Sequence, residues 1–217
     1  MKFLRKYTNV NDANSISNKF RRKRIEIFRK LLIKYNSPVK ILDLGGTYEF
    51  WENMDLISEK YQFTILNTDT VTTKIKNITL IKKDVRDLSE FRDNEYDIVF
   101  SNSLIEHVGD FQVQKKIADE IIRIGKSYFI QTPNYYFPLE PHFLFPYFQL
   151  LPKKLKIILL SHFNLGWFNK SGKSEAEKII NSIRLLKYKE LKILFPLALI
   201  LKEKFSGFTK SFICIYK

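Results

Sequence analysis

Residues 39–44, VKILDL, are almost wholly apolar and run straight into Gly45-Gly46. A strand buried on both faces reads as a continuous apolar run, and such strands belong to parallel sheets covered by helices. More runs of this kind follow: FTILN (63–67), ITLIKKD (78–84), YDIVFSN (96–102) and SYFIQTP (127–133). Helical periods separate some of them, at 51–60 and across IEHVGDFQVQKKIADEIIRIG, where Ile117, Ile121, Ile122 and Ile124 repeat on one face. Strand and helix in alternation from 38 to 133 imply an open parallel α/β sheet.

The flanks fit that core. Residues 13–35 place Phe20, Ile25, Phe28, Leu31, Leu32 and Tyr35 at amphipathic spacing, with a basic outer face, and Asn36-Ser37-Pro38 stops the helix. After Pro133 the chain becomes rich in aromatics and prolines, and 134–170 reads as an insertion lying over one end of the sheet. Residues 174–195 read as one helix. LALILKEKF and KSFICIYK, joined at Ser206-Gly207-Phe208, read as an antiparallel hairpin at the sheet edge. At 217 residues the expectation is one domain, 1–217, with a helical N-terminal segment at 1–37 and the cap at 134–170.

Ligands of an open α/β sheet sit beyond the carboxyl ends of the strands, where strand order reverses. Gly45-Gly46 is at such an end, and glycine there lets a ligand approach the backbone. Positions 45, 47 and 50 hold Gly, Thr and Phe instead of the glycines of a dinucleotide fingerprint, and no Lys-Ser or Lys-Thr follows as in a phosphate loop. Asp43, two residues before the first glycine, suits a cationic group better than a phosphate.

Taken in order, ILDLGG, Asn67 with Asp69 beyond it, Asp84 of IKKDVRDL and the stretch YDIVFSNSLIEHV resemble the class I S-adenosylmethionine-dependent methyltransferases. TPNYYFPLEPHFLFP, with LKILFP and GFTKSF, looks like a bacterial subgroup of these that acts on small molecules. The resemblance runs from about residue 38 to the C-terminus. It implies a Rossmann-like α/β sheet of about seven strands, the last antiparallel, under an aromatic-rich cap. It also implies S-adenosyl-L-methionine as cofactor. Asp43, Gly45, Gly46 and Thr47 then border its methionine part. Asn67 or Asp69 meets the ribose, Asp84 the adenine amino group with Val85 beside the ring, and Ser101 and Asn102 lie by the sulfonium. Thr47 and Glu49 stand where the family's glycine loop continues, so the loop is tighter, and Phe50-Trp51 are candidates to wall the pocket.

An oxygen acceptor needs a base, and His107 and His142 are the candidates, since an unperturbed histidine accepts a proton near neutrality. Glu106, Tyr135 and Glu140 are candidates to contact the acceptor. Some relatives bind a divalent metal through Glu-x-x-Glu-His; here Ser103 takes the place of the first glutamate, and no required metal is expected. The favoured acceptor is a small polar molecule: a sugar, a glycan precursor or a related metabolite.

Charge supplies the rival. With 37 basic and 23 acidic residues, net +14, the chain attracts anions. Arg21-Arg22-Lys23-Arg24 raises nucleic-acid (tRNA) methylation or binding as the alternative, although SNSL occupies the place of an Asn-Pro-Pro-Tyr-type signature. A cofactor-binding protein without catalysis is the third reading. Lys153, Lys154 and Lys156 beside LKIILL allow weak contact of the cap with an anionic membrane surface. No secretory signal or membrane span is read, and a soluble cytoplasmic protein is expected. The single cysteine, Cys214, lies in an apolar run and is expected to be buried.

Overall fold

The computed structural model describes residues 15–217. The N-terminal stretch in which no secretory signal is read, and the first residues of the expected helix, lie outside them. Chain order is α1 (Ile16–Leu32), β1 (Val39–Leu44), α2 (Tyr48–Asn53), β2 (Tyr61–Asn67), β3 (Thr73–Ile75), β4 (Ile78–Lys82) and β5 (Tyr96–Asn102). There follow α3 (Phe111–Ile124), β6 (Gly125–Pro133), β7 (Leu139–Glu140), β8 (Phe145–Pro146), α4 (Lys153–His162), α5 (Lys173–Asn181), α6 (Tyr188–Leu194), β9 (Leu199–Phe205) and β10 (Phe208–Tyr216).

Eight strands form one sheet in the order β3-β4-β2-β1-β5-β6-β10-β9. The five from β4 to β6 are parallel, while β3 and β10 pair antiparallel with β4 and β6, and β9 and β10 form the expected hairpin. Strand order reverses at β1, between β2 and β5. Register aligns the carboxyl ends there: Leu44 faces Leu66 on one side and Ser101 on the other, and Asn102 faces Gln131.

Alternation along β1 assigns the two faces. Ile41 packs with Ile25, Phe28 and Leu32 of α1, together with Phe63, Phe100 and Phe129. Leu42 and Leu44 pack with Ile117, Ile121 and Ile124 of α3 and Leu191 and Leu194 of α6. Cys214 is buried in this second layer.

Three expectations change. The helix read at 51–60 runs from Tyr48 to Asn53, because Thr47 caps it by accepting from Phe50 N at 3.3 Å. The helix read at 174–195 is two helices. Between them Arg184 N donates to Glu106 O at 2.7 Å, and Leu186 bridges Asn134 in parallel. The edge strand β3 was not anticipated; its three residues, TKI, are all exposed. Within 134–170, β7 and β8 make a small ribbon, and Phe143, Phe148, Leu160 and Leu165 form a separate cluster completed by Ala176 of α5.

Candidate active site

Gly45 turns the chain out of β1 with φ +78° and donates its N–H to Leu66 O at 2.8 Å. At Gly46 the chain passes so close to Asp43 that a Cβ would collide with its carboxylate. Asp43 is itself sealed in: Oδ2 accepts from Trp51 Nε1 at 2.7 Å, and Oδ1 is buried with no partner. Burial raises the carboxyl to about 7, against the smaller opposing effect of the Trp51 bond. Trp51 is fully buried among Phe28, Phe63 and Phe100, so it belongs to the core rather than to a cavity wall. Asp43 and Trp51 thus support the turn from beneath.

Above the turn lies a cavity of about 420 Å³ at the ends of β1, β2 and β4. Gly45, Asn67, Asp69, Asp84, Val85 and His107 line it. Asn67 is occupied at both ends, donating to Gly46 O at 2.9 Å and accepting from Asp69 N at 3.0 Å, so its role here is to tie the loops. That leaves Asp69 as the polar group of this corner. Hydrogen bonds from Arg86 hold the Asp84 carboxyl below its usual range. Gly46 and Thr47 line a smaller adjoining cavity, which Asn67 and Asp69 share. Ser101 is buried, with Oγ donating to Leu44 O at 3.3 Å, and Ser101 and Asp43 line none of these spaces.

A second cavity of about 370 Å³ lies beside the ends of β5 and β6. Asn102, Ser103 and His142 line it, with Phe137, Leu139 and Trp167. His142 of the second cavity faces His107 of the first, their Nε2 atoms 3.1 Å apart. Glu140 holds it from behind, accepting from His142 Nδ1 and from the backbone N–H of His142 and Phe143, each at 2.7 Å.

The surroundings of the two rings set which takes a proton first. Burial, then the charge of His142, pushes His107 down to about 4. Burial also opposes charge on His142, but the Glu140 hydrogen bond and the charges of Glu140 and Glu106 outweigh it and raise its pKa. His142 therefore titrates first as pH falls, and His107 stays neutral. Glu106 is fully buried, with Oε2 accepting from Thr132 at 3.0 Å and Oε1 unpartnered, and burial raises its carboxyl. Donor atoms of Glu106, His107 and His142 lie within 4.8 Å of one another. That spacing is one that a metal ion could bridge as well as a shared proton. Tyr135 lines a third cavity on the far side of Glu140, beneath Lys187 Nζ at 5.0 Å.

Arg21, Arg24 and Lys210, which the sequence does not mark as site residues, also line the second cavity. The cluster Arg21-Arg22-Lys23-Arg24 is not one basic patch: Arg24 is buried and Arg21 half-buried, while Arg22 and Lys23 face solvent. Spacing held the clue, since Arg24 falls midway between Phe20 and Phe28 on the apolar stripe of α1.

Residues 52–128 match the methyltransferase domain family. That match covers 77 of the 217 residues, and over them the chain is similar to methyltransferase domains. A SAM-dependent methyltransferase of Methanosarcina mazei has the same fold at TM-score 0.54 and 13% identity, over 85% of this chain and 95% of that one. The N-methyltransferase NodS of Bradyrhizobium japonicum, solved with S-adenosyl-L-homocysteine, matches at 0.55 and 8% identity, over 99% and 95%. An uncharacterized protein of Mycobacterium tuberculosis, present in two strains, is 33% identical over 70 residues, 32% of this chain. That match spans 23% of the relative's length. Among the described residues no helix is long and apolar enough to cross a membrane.

Proposed function

We infer that the chain transfers a methyl group from S-adenosyl-L-methionine to a small polar acceptor held in the second cavity. The supporting observation is the meeting of the Gly45 turn, Asp69 and Asp84 in one cavity at the point where strand order reverses. The residues suit the cofactor: the glycine turn admits a ligand against backbone, and two carboxylates face a molecule that carries an ammonium, ribose hydroxyls and an adenine amino group. When bound, the cofactor supplies a methyl made electrophilic by its sulfonium. The protein's part is to orient the acceptor, exclude water and take a proton.

In this reading Gly45, Asp69 and Asp84 hold the cofactor, and Asn67, Asp43 and Trp51 fix the loops that carry them. Asn102 and Ser103 border the reacting end, and His142 takes the acceptor's proton when that acceptor is a hydroxyl. Glu140 is a positioning residue, and the segment 134–170 is a cover over the acceptor. A sugar, glycan precursor or related metabolite is the preferred acceptor class, since the second cavity pairs ring faces with polar groups.

Two measurements test this. Asp84→Ala is expected to weaken S-adenosyl-L-homocysteine binding about tenfold or more in calorimetry, because a charge-assisted hydrogen bond is lost; unchanged affinity would move the adenine elsewhere. In a histidine NMR titration His142 is expected to titrate above 6.5 and His107 near 4. Glu140→Gln removes what raises His142, so its titration moves to lower pH. If turnover depends on neutral His142, its acid limb moves down with it. An unshifted titration would remove Glu140 from this role.

A further inference from the structure

The second cavity carries a charge that its own walls do not balance. Arg21 and Arg24 enter it from α1 and Lys210 from β10, and no acidic residue lines it among those described. Glu203, just behind, is already engaged: both its oxygens accept from Arg24 Nε at 2.8 Å, and Ser211 Oγ donates to one of them. Arg24 Nη1 is used as well, donating to Asn102 Oδ1 at 2.8 Å and Gln131 Oε1 at 3.0 Å. Arg21 and Lys210 have no ion pair among the described residues. Each meets an aromatic face instead: the Arg21 guanidinium carbon is 5.9 Å from the Phe50 centroid, and Lys210 Nζ is 4.5 Å from that of Phe20. Burial, then the charge of Arg24, brings the Lys210 ammonium down to about 8, and burial and Arg24 also lower Arg21. Arg21 and Lys210 are half-buried, and cations withdrawn from water are normally paired. Phe137, Leu139, Leu144 and Trp167 make up the apolar part of the lining.

We propose that the methyl acceptor carries an oxyanion, a carboxylate or a phosphate, held by Arg21 and Lys210 with Arg24 behind, its body resting against Phe137 and Trp167. The acceptor role rests on the methyl-transfer reading; the anion site rests on the cavity. Carboxylate chemistry is also present in the cofactor's amino-acid end, and the experiment separates the two sources.

Calorimetry first measures S-adenosyl-L-homocysteine binding to wild type, Lys210→Met and Arg21→Gln. Benzoate, phenyl phosphate and the neutral benzyl alcohol are then titrated into each loaded protein. Cofactor-product affinity is expected to stay within about twofold across the three. At least one anion is expected to bind wild type about tenfold tighter than benzyl alcohol and to lose about tenfold in each variant, as loss of a charge-assisted contact implies. The proposal is overturned if neither anion binds, if the alcohol binds as well, or if the variants bind the anion like wild type. A tenfold loss of product-cofactor affinity in the variants also overturns it, by assigning the cations to the cofactor's carboxylate. A wild-type protein that takes the anions with these losses but no S-adenosyl-L-homocysteine overturns the methyl-transfer reading alone.

Discussion

Trp51→Ala lowers the unfolding free energy by about 3–5 kcal/mol, the usual cost of removing a large aromatic from a packed core. Trp51 is fully buried and contacts Phe28, Phe63 and Phe100. Its loss also leaves Asp43 with no hydrogen bond to either oxygen. Trp51→Phe separates the two effects, because it keeps most of the ring and loses only the N–H; about 1–3 kcal/mol is expected from the unsatisfied carboxyl.

The pH dependence identifies Asp43 as the cause. Its folded pKa, about 7, lies above its ordinary value of 3.8. Its contribution to stability is therefore fully present below about pH 4 and is lost as pH rises through about 7. Without the Trp51 bond the folded pKa rises further, so the loss continues to higher pH. The difference between Trp51→Phe and wild type in urea unfolding is expected to widen above neutrality. Glu106, raised in both proteins, cancels from that difference. A pH-independent difference would mean that Asp43 is not what Trp51 supports.

Arg24→Met has the second large effect, about 3–5 kcal/mol, because it strands the buried Glu203 carboxylate. Arg24 and Glu203 side chains are 7% and 9% exposed, so solvent screening does little to soften the loss. The pair also ties α1 to β9, while Nη1 reaches β5 and β6. Arg24→Met with Glu203→Met is expected to recover much of the stability, since apolar replacements of a buried ion pair are often neutral or better. Urea unfolding of the four proteins completes the cycle. A double variant no more stable than Arg24→Met would mean that the cost lies in the bonds to Asn102 and Gln131, not in the stranded carboxylate.

The central strands were legible because burial on both faces leaves a mark that neighbours cannot erase. VKILDL and YDIVFSN fold as strands over the same residues they suggest. Elements set by distant contacts left no such mark. Residues 182–187 contain neither Gly nor Pro, and the helix breaks there because Arg184 and Leu186 bond to Glu106 and Asn134. The exposed β3 has no apolar pattern at all. At the candidate site, residues following strand ends converge as expected: Gly45, Asn67, Asp69, Asp84 and His107 share one cavity. The cationic wall was hidden because Arg21, Arg24 and Lys210 come from opposite ends of the chain. Nothing local distinguishes them from other basic residues except the place of Arg24 on an apolar stripe.

The most direct test is a crystal structure of the protein soaked with S-adenosyl-L-homocysteine. Adenine is expected at Asp84 and Val85, the ribose at Asp69, and the amino-acid end over the Gly45 turn, with sulfur directed toward His142. Density in another cavity, or none at concentrations that saturate related domains, would contradict it.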